Sequence, residues 1–171
     1  MSPAPMKVLG IDPGTAILGY GVVQTTGKGI AELIECGVLR TKARAPLSDR
    51  LKVIHEGLLE LFERHRPDVL AVEDIFFATN VRTTVTLGHA RGVILLSGAL
   101  AGIQIAEYSP AKVKQVIVGR GAALKPQVGY MVAKLLRLKT APSPADAADA
   151  VAVALTHLLL APRLRPAKGL R

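Results

Sequence analysis

Four carboxylates stand where carboxylates are costly. Asp12 ends the apolar run MKVLGID (6–12), Glu73 lies at the end of DVLAVED (68–74), and Asp146 and Asp149 open SPADAADAVAVALTHLLL (143–160). Taken singly, three of them have ordinary explanations. Asp before Pro-Gly is turn chemistry. A Glu leaving a strand normally faces solvent, as its neighbour Asp74 is expected to do. Ser143-x-x-Asp146 fits a helix capping box. Asp149 has no such explanation. It lies three residues from Asp146, hence on the same helix face, and the run that follows is apolar almost all round, as in a buried helix. A buried, unpaired carboxylate costs several kcal/mol, and a like-charged neighbour adds to that.

Residues 143–160 contain no Lys or Arg to neutralise the pair. A divalent cation would do so. An oxygen-only donor set suits Mg²⁺ or Mn²⁺. Two such ions about 4 Å apart would activate water and stabilise the leaving oxygen of a phosphodiester. His55, His65, His89 and His157 are scattered along the chain and read as surface or packing residues, so no His/Cys set points to zinc. Cys36 is the only cysteine, which excludes an intrachain disulfide and reads as a packed thiol.

The charge distribution points to a polyanion. Residues 1–109 hold equal numbers of basic and acidic side chains. The whole net charge of +9 therefore falls in residues 110–171, where Asp146 and Asp149 are the only acids. A one-sided basic segment is the electrostatic footprint of a nucleic-acid partner. Acids that hold metal and bases that hold phosphate form a coherent set. The N-terminal MSPAP has neither the basic region nor the apolar run of a signal peptide, and no apolar stretch reaches the ~18 residues of a membrane span. The chain reads as a soluble, cytoplasmic protein.

The elements that must position these residues follow from periodicity. MKVLGID, LGYGVVQTT (18–26) and GIAELIECGVLR (29–40) read as a three-strand antiparallel meander. From Pro46, Leu47, Leu51, Ile54, Leu58, Leu61 and Phe62 recur at helical spacing up to Arg66-Pro67. DVLAVED is then a buried strand, IFFATN a loop, and a second helix of about twenty residues ends near GALAG. IQIAEY (103–108) is a fifth strand. Ser109 caps and Pro110 opens a short helix over 111–118. Further helices run from Lys125 to Leu138 and from Ser143 to Leu160. Residues 6–160 form one domain, and the Pro- and Arg-rich 161–171 reads as a basic, disordered tail. The order predicts an α/β fold: a five-stranded mixed sheet, strands 1, 4 and 5 parallel, with helices on both faces. Ligands of open α/β sheets bind at the carboxyl ends of parallel strands, which is where Asp12 and Glu73 should lie side by side.

GIDPGTAILGYGVV, AVEDIFFATN, the ARG of HARGV, VKQVIVGRGAALK and ADAADAVAVALTH, in this order, resemble the RuvC Holliday-junction resolvases from Met6 to His157. The resemblance implies an RNase H-like fold and a homodimer. It implies a crossover junction endodeoxyribonuclease of recombination and repair, working with Mg²⁺, two per site, or Mn²⁺. It implies four-way junction DNA as substrate and a branch-migration motor of the RuvA and RuvB type as partner. Residue by residue, Asp12, Glu73, Asp146 and Asp149 become the catalytic metal-binding carboxylates. Phe76 falls where the family has an aromatic that engages a base at the opened junction. Lys114 and Lys125 match phosphate-contacting lysines. Arg82, Lys112 and Arg120 are further candidates for backbone contacts. Asp74 beside Glu73 is a departure that could perturb metal affinity.

The mechanism expected is in-line attack of a metal-activated water, leaving a 5′-phosphate and a 3′-hydroxyl. Two symmetric cuts need two sites, which a twofold dimer supplies. The small- and apolar-rich second helix is the candidate dimer surface. Three rivals remain open. An actin- or sugar-kinase-like phosphotransferase shares GIDPGT but needs a second lobe that this chain is too short to hold. Another RNase H-like nuclease shares the carboxylates. A noncatalytic DNA-binding module would leave four converging acids repelling the phosphate backbone.

Overall fold

The computed structural model describes residues 5–26, 31–75 and 80–164, with side chains described to Ala161. Phe76 and Phe77 lie outside the described residues. In chain order, β1 (Lys7–Asp12), β2 (Ile17–Thr25) and β3 (Ala31–Arg40) are followed by α1 (Leu47–His65), β4 (Val69–Glu73), α2 (Val81–Leu100) and β5 (Gln104–Tyr108). Then come α3 (Pro110–Val118), α4 (Lys125–Leu135) and α5 (Ala145–Leu164). The strands form one sheet in the order β3-β2-β1-β4-β5. β1–β2 and β2–β3 pair antiparallel; β1–β4 and β4–β5 pair parallel. This is the predicted mixed sheet.

Each strand of the centre feeds two cores, as the two-residue period of a strand requires. Leu9, Ile11, Leu70 and Val72 pack under α1 and α2 with Ile54, Leu58 and Ile94. Val8, Val69 and Ala71 pack on the other face with Val113, Ile117, Val132 and the apolar body of α5. α5 is apolar all round because it lies between the sheet on one side and α3 and α4 on the other; Val151, Val153 and Leu155 are almost fully buried.

Local signals set the helix ends. Ser109 accepts a hydrogen bond from the Lys112 amide and Pro110 occupies the first turn of α3, as expected. Asn80 caps α2 by accepting from the Arg82 and Thr83 amides. Arg66 ends α1 at φ 45°, its N–H donating to the Phe62 carbonyl, with Pro67 blocking continuation. Three expected helix ends are corrected. α5 begins at Ala145, where the Ala148 N–H donates to the Pro144 carbonyl, so the helix starts past Ser143 rather than at it. It also continues to Leu164, so the start of the expected tail is helical. α4 stops at Leu135, with Arg137 at φ 55°, rather than reaching Leu138. Among the described residues no helix is long and apolar enough to cross a membrane.

Candidate active site

The parallel register from Val8↔Val69 to Ile11↔Val72 carries on to bring Asp12 beside Glu73 at the carboxyl ends of β1 and β4. Ile11 and Val72 face α1 and α2, so alternation turns Asp12 and Glu73 to the opposite face, the one α5 covers. Glycines then set how closely α5 can approach. A Cβ at Gly10 would lie 2.1 Å from the Ala150 carbonyl oxygen, one at Gly21 2.5 Å from a Val151 methyl, and one at Gly19 2.0 Å from the Asp146 carbonyl oxygen. Gly19 is the cross-strand partner of Asp12, and Gly10 of Gly21. The helix start that carries Asp146 and Asp149 is thereby seated over the strand end that carries Asp12. Gly10, Gly19 and Gly21 are docking pads, a role that sequence periodicity did not assign them, whereas Gly14 is crowded by Ile17 of its own turn.

The electrostatics show that the acids act on one another. Burial pushes the Asp12 carboxyl up to about 6, helped by repulsion from Asp149 and Asp146. Burial pushes Glu73 up to about 8, with the charges of Asp12 and Asp149 adding to it. The two carboxyls act on each other most directly, and each is held above the ordinary carboxylate range. Both shifts run in the direction that a nearby cation would reverse.

Lys125, the first residue of α4, reaches the cluster: its Nζ stands 2.6 Å from Asp149 Oδ2. The hydrogen bond to Asp149 raises its affinity for its proton. Asp149, expected to lack a nearby base, thus has one, contributed from another element. Among the described residues no three carboxyl, imidazole or thiolate groups are already gathered closely enough to hold one ion. Asp149 is instead engaged by Lys125. The donor set still fits a hard divalent cation, being all oxygen and undercompensated in charge. Closing it requires Asp149 to leave Lys125.

The remaining predicted contacts are distributed around this centre. Lys112 and Lys114 lie on α3, exposed and half-buried, and exposed Arg120 follows that helix. Arg82 is exposed in the first turn of α2. Among the histidines, His65 bonds Glu35 and His157 bonds the Tyr108 hydroxyl, both as buried packing groups. Asp74 is exposed but not free: Arg91 Nη2 lies 3.3 Å from its Oδ1 and also pairs with Glu107. Arg91 was legible only as part of a motif.

A family model described as crossover junction endodeoxyribonuclease RuvC matches residues 8–157. The crossover junction endodeoxyribonuclease RuvC of Pelotomaculum thermopropionicum is 49% identical over 152 residues, 89% of this chain and 92% of that one. Thermus thermophilus RuvC superposes with a TM-score of 0.86 at 41% identity, covering 92% of this chain and 96% of that chain. T. thermophilus RuvC in complex with Holliday junction substrate superposes at 0.84 with 38% identity, covering 93% and 97%. The sheet and its flanking helices are those of an RNase H-like resolvase, and the chain belongs to the RuvC family of crossover junction endodeoxyribonucleases.

Proposed function

We propose that this protein resolves four-way DNA junctions by paired, symmetric, metal-dependent hydrolysis, with Asp12, Glu73, Asp146 and Asp149 as its catalytic carboxylates. The observation that supports this is the seating of the α5 start, which carries Asp146 and Asp149, on Gly19, the cross-strand partner of Asp12. The solved relative in complex with Holliday junction substrate supports the choice of DNA structure. Mg²⁺, two per site, is the expected cofactor, with Mn²⁺ able to substitute. Bound there, divalent ions supply an activated water and offset charge on the leaving oxygen.

The chain's own residues do the rest. Asp12 and Glu73 hold fixed positions because they end central, hydrogen-bonded strands. Lys125, once freed from Asp149, is placed to hold the scissile phosphate. Lys114, Lys112, Arg120 and Arg82 contribute phosphate contacts that set register on the DNA, and Phe76 stacks on an opened base. The products are a 5′-phosphate and a 3′-hydroxyl.

Paired cuts need a second copy. On α2, Val81, Val85, Leu96 and Leu100 are exposed along one face, and at Gly88 and Gly92 a Cβ would meet nothing within 4 Å. The opposite face, with Ala90, Ile94 and Ser97, is buried in this chain. The exposed apolar face is the proposed homodimer surface. A branch-migration motor of the RuvA and RuvB type delivers the junction, in the cytoplasm, where chromosomal DNA lies.

The test is cleavage of an end-labelled mobile four-way junction and a matched linear duplex, with Mg²⁺ or EDTA. Symmetric nicks on the junction only, lost with EDTA, support the reading. Equal cutting of the duplex would make the protein a general RNase H-like nuclease, and binding without cutting would make it a DNA-binding module. Leu96→Glu, if it yields monomers, should uncouple the two nicks.

A further inference from the structure

A second charged cluster lies on the other face of the same strand ends. Val72 faces α1 and α2 and Glu73 faces α5, so Asp74 turns back toward α2. On β5, Ile105 packs on the α2 side, and Glu107, two residues on, shares its face. Arg91 reaches from α2 to both acids, 3.3 Å from Asp74 Oδ1 and in contact with Glu107. Its side chain is only 20% exposed, against 55% and 47% for the two acids. Asp74 is held further by its own backbone, its N–H donating to the Tyr108 carbonyl at 2.8 Å, and by its Oδ1, which accepts from the Ile75 N–H at 2.9 Å. Among the described residues Arg91 Nε is buried without a hydrogen-bond partner, so the guanidinium is held by its two ion pairs rather than by a full set of bonds.

We propose that Arg91 is a positioning residue for cleavage. By tying Asp74 to Glu107 across the β4–β5 end, it fixes the backbone exit from β4. That exit sets the direction of the Glu73 carboxyl toward Asp12 and the start of α5. A planar guanidinium can serve two carboxylates from one place, whereas an ammonium is a single compact charge. Outer groups that orient ligand side chains act chiefly on metal affinity. The clamp therefore belongs to metal binding rather than to DNA binding, and it rests on the reading of Glu73 as a metal ligand given above.

The experiment compares wild type with Arg91→Gln, Arg91→Lys, Asp74→Asn and the double variant R91Q/D74N. Single-turnover junction cleavage is titrated with Mg²⁺, and junction affinity in EDTA and the melting temperature are measured alongside. For Arg91→Gln the Mg²⁺ concentration at half-maximal rate should rise about 10-fold, with junction affinity and melting temperature nearly unchanged. Arg91→Lys should recover part of the shift, and the double variant should be no worse than Arg91→Gln, since both remove one interaction. An unchanged Mg²⁺ requirement overturns the proposal. So does a loss that appears instead in salt-dependent junction affinity, which would make Arg91 a phosphate contact, or in melting temperature alone, which would make it a structural tie. A wild-type protein that cuts no junction in any metal removes the active-site reading itself, and the proposal with it.

Discussion

Gly19 and Asp146 are in backbone contact: a Cβ on Gly19 would lie 2.0 Å from the Asp146 carbonyl oxygen. Gly19 also pairs with Asp12 across the β1–β2 ladder. The start of α5 can lie this close to β2 only because residue 19 has no Cβ. Gly19→Ala should push α5 outward, cost about 1–3 kcal/mol of stability, and depress junction cleavage more than junction binding. Denaturant unfolding and single-turnover cleavage on the same preparation measure both. Wild-type cleavage in a folded Gly19→Ala protein would show that this seating does not matter.

Lys125 is expected to serve two partners in turn. Its bond to Asp149 offsets acid charge in the cluster, and its position fits a phosphate contact afterwards. Lys125→Met should lower the cleavage rate by about 10²-fold, in the range for loss of one stabilising charge at a reacting centre. It should also reduce the salt slope of junction binding by about 1. Binding isotherms at several salt concentrations separate the two effects.

Metal should stabilise the fold, because burial and mutual repulsion strain the carboxylates. In EDTA, Asp12→Asn should be more stable than wild type by on the order of 1–3 kcal/mol, since it removes a buried charge whose ionisation is disfavoured. Millimolar Mg²⁺ should raise the melting temperature of wild type and do so far less for Asp12→Asn. Thermal melts with and without Mg²⁺ check both signs.

An acid-sensitive contact lies away from the site. Glu35 accepts from the Tyr20 hydroxyl at 2.8 Å and from Arg64 at 3.0 Å, and meets His65 Nε2 at 2.9 Å. Burial opposes its ionisation, but the Tyr20 bond and the His65 and Arg64 charges prevail and hold its carboxyl below the ordinary 4.5. A depressed carboxylate contributes stability above its unfolded value, and that contribution is lost as pH falls through the folded one. Glu35→Gln should cost about 1 kcal/mol at pH 7 and flatten the fall in stability below pH 4.5. Urea midpoints between pH 7 and pH 3 decide this.

The strand ends were legible in sequence because alternation and the breaks at Pro13-Gly14 and after Glu73 are local signals. So was the helix opened by Asp146 and Asp149. The rest depends on contacts between distant segments. Nothing local in GYG says that Gly19 and Gly21 seat a helix more than a hundred residues away, and nothing near Asp149 announces Lys125 on α4. Arg91 shows the same limit, since both of its acids come from other elements. The Ser143 capping box failed because Ser-x-x-Asp describes a local option that the chain does not take; the helix starts at Ala145.

The central claim is that the strand-end and helix-start acids form one catalytic site. The most direct test is single-turnover cleavage of a four-way junction in Mg²⁺ by Asp12→Asn, with junction binding and folding measured on the same sample. The account predicts cleavage reduced by about 10³-fold or more, with binding retained and the fold intact. A folded Asp12→Asn protein that cuts the junction at the wild-type rate would contradict it.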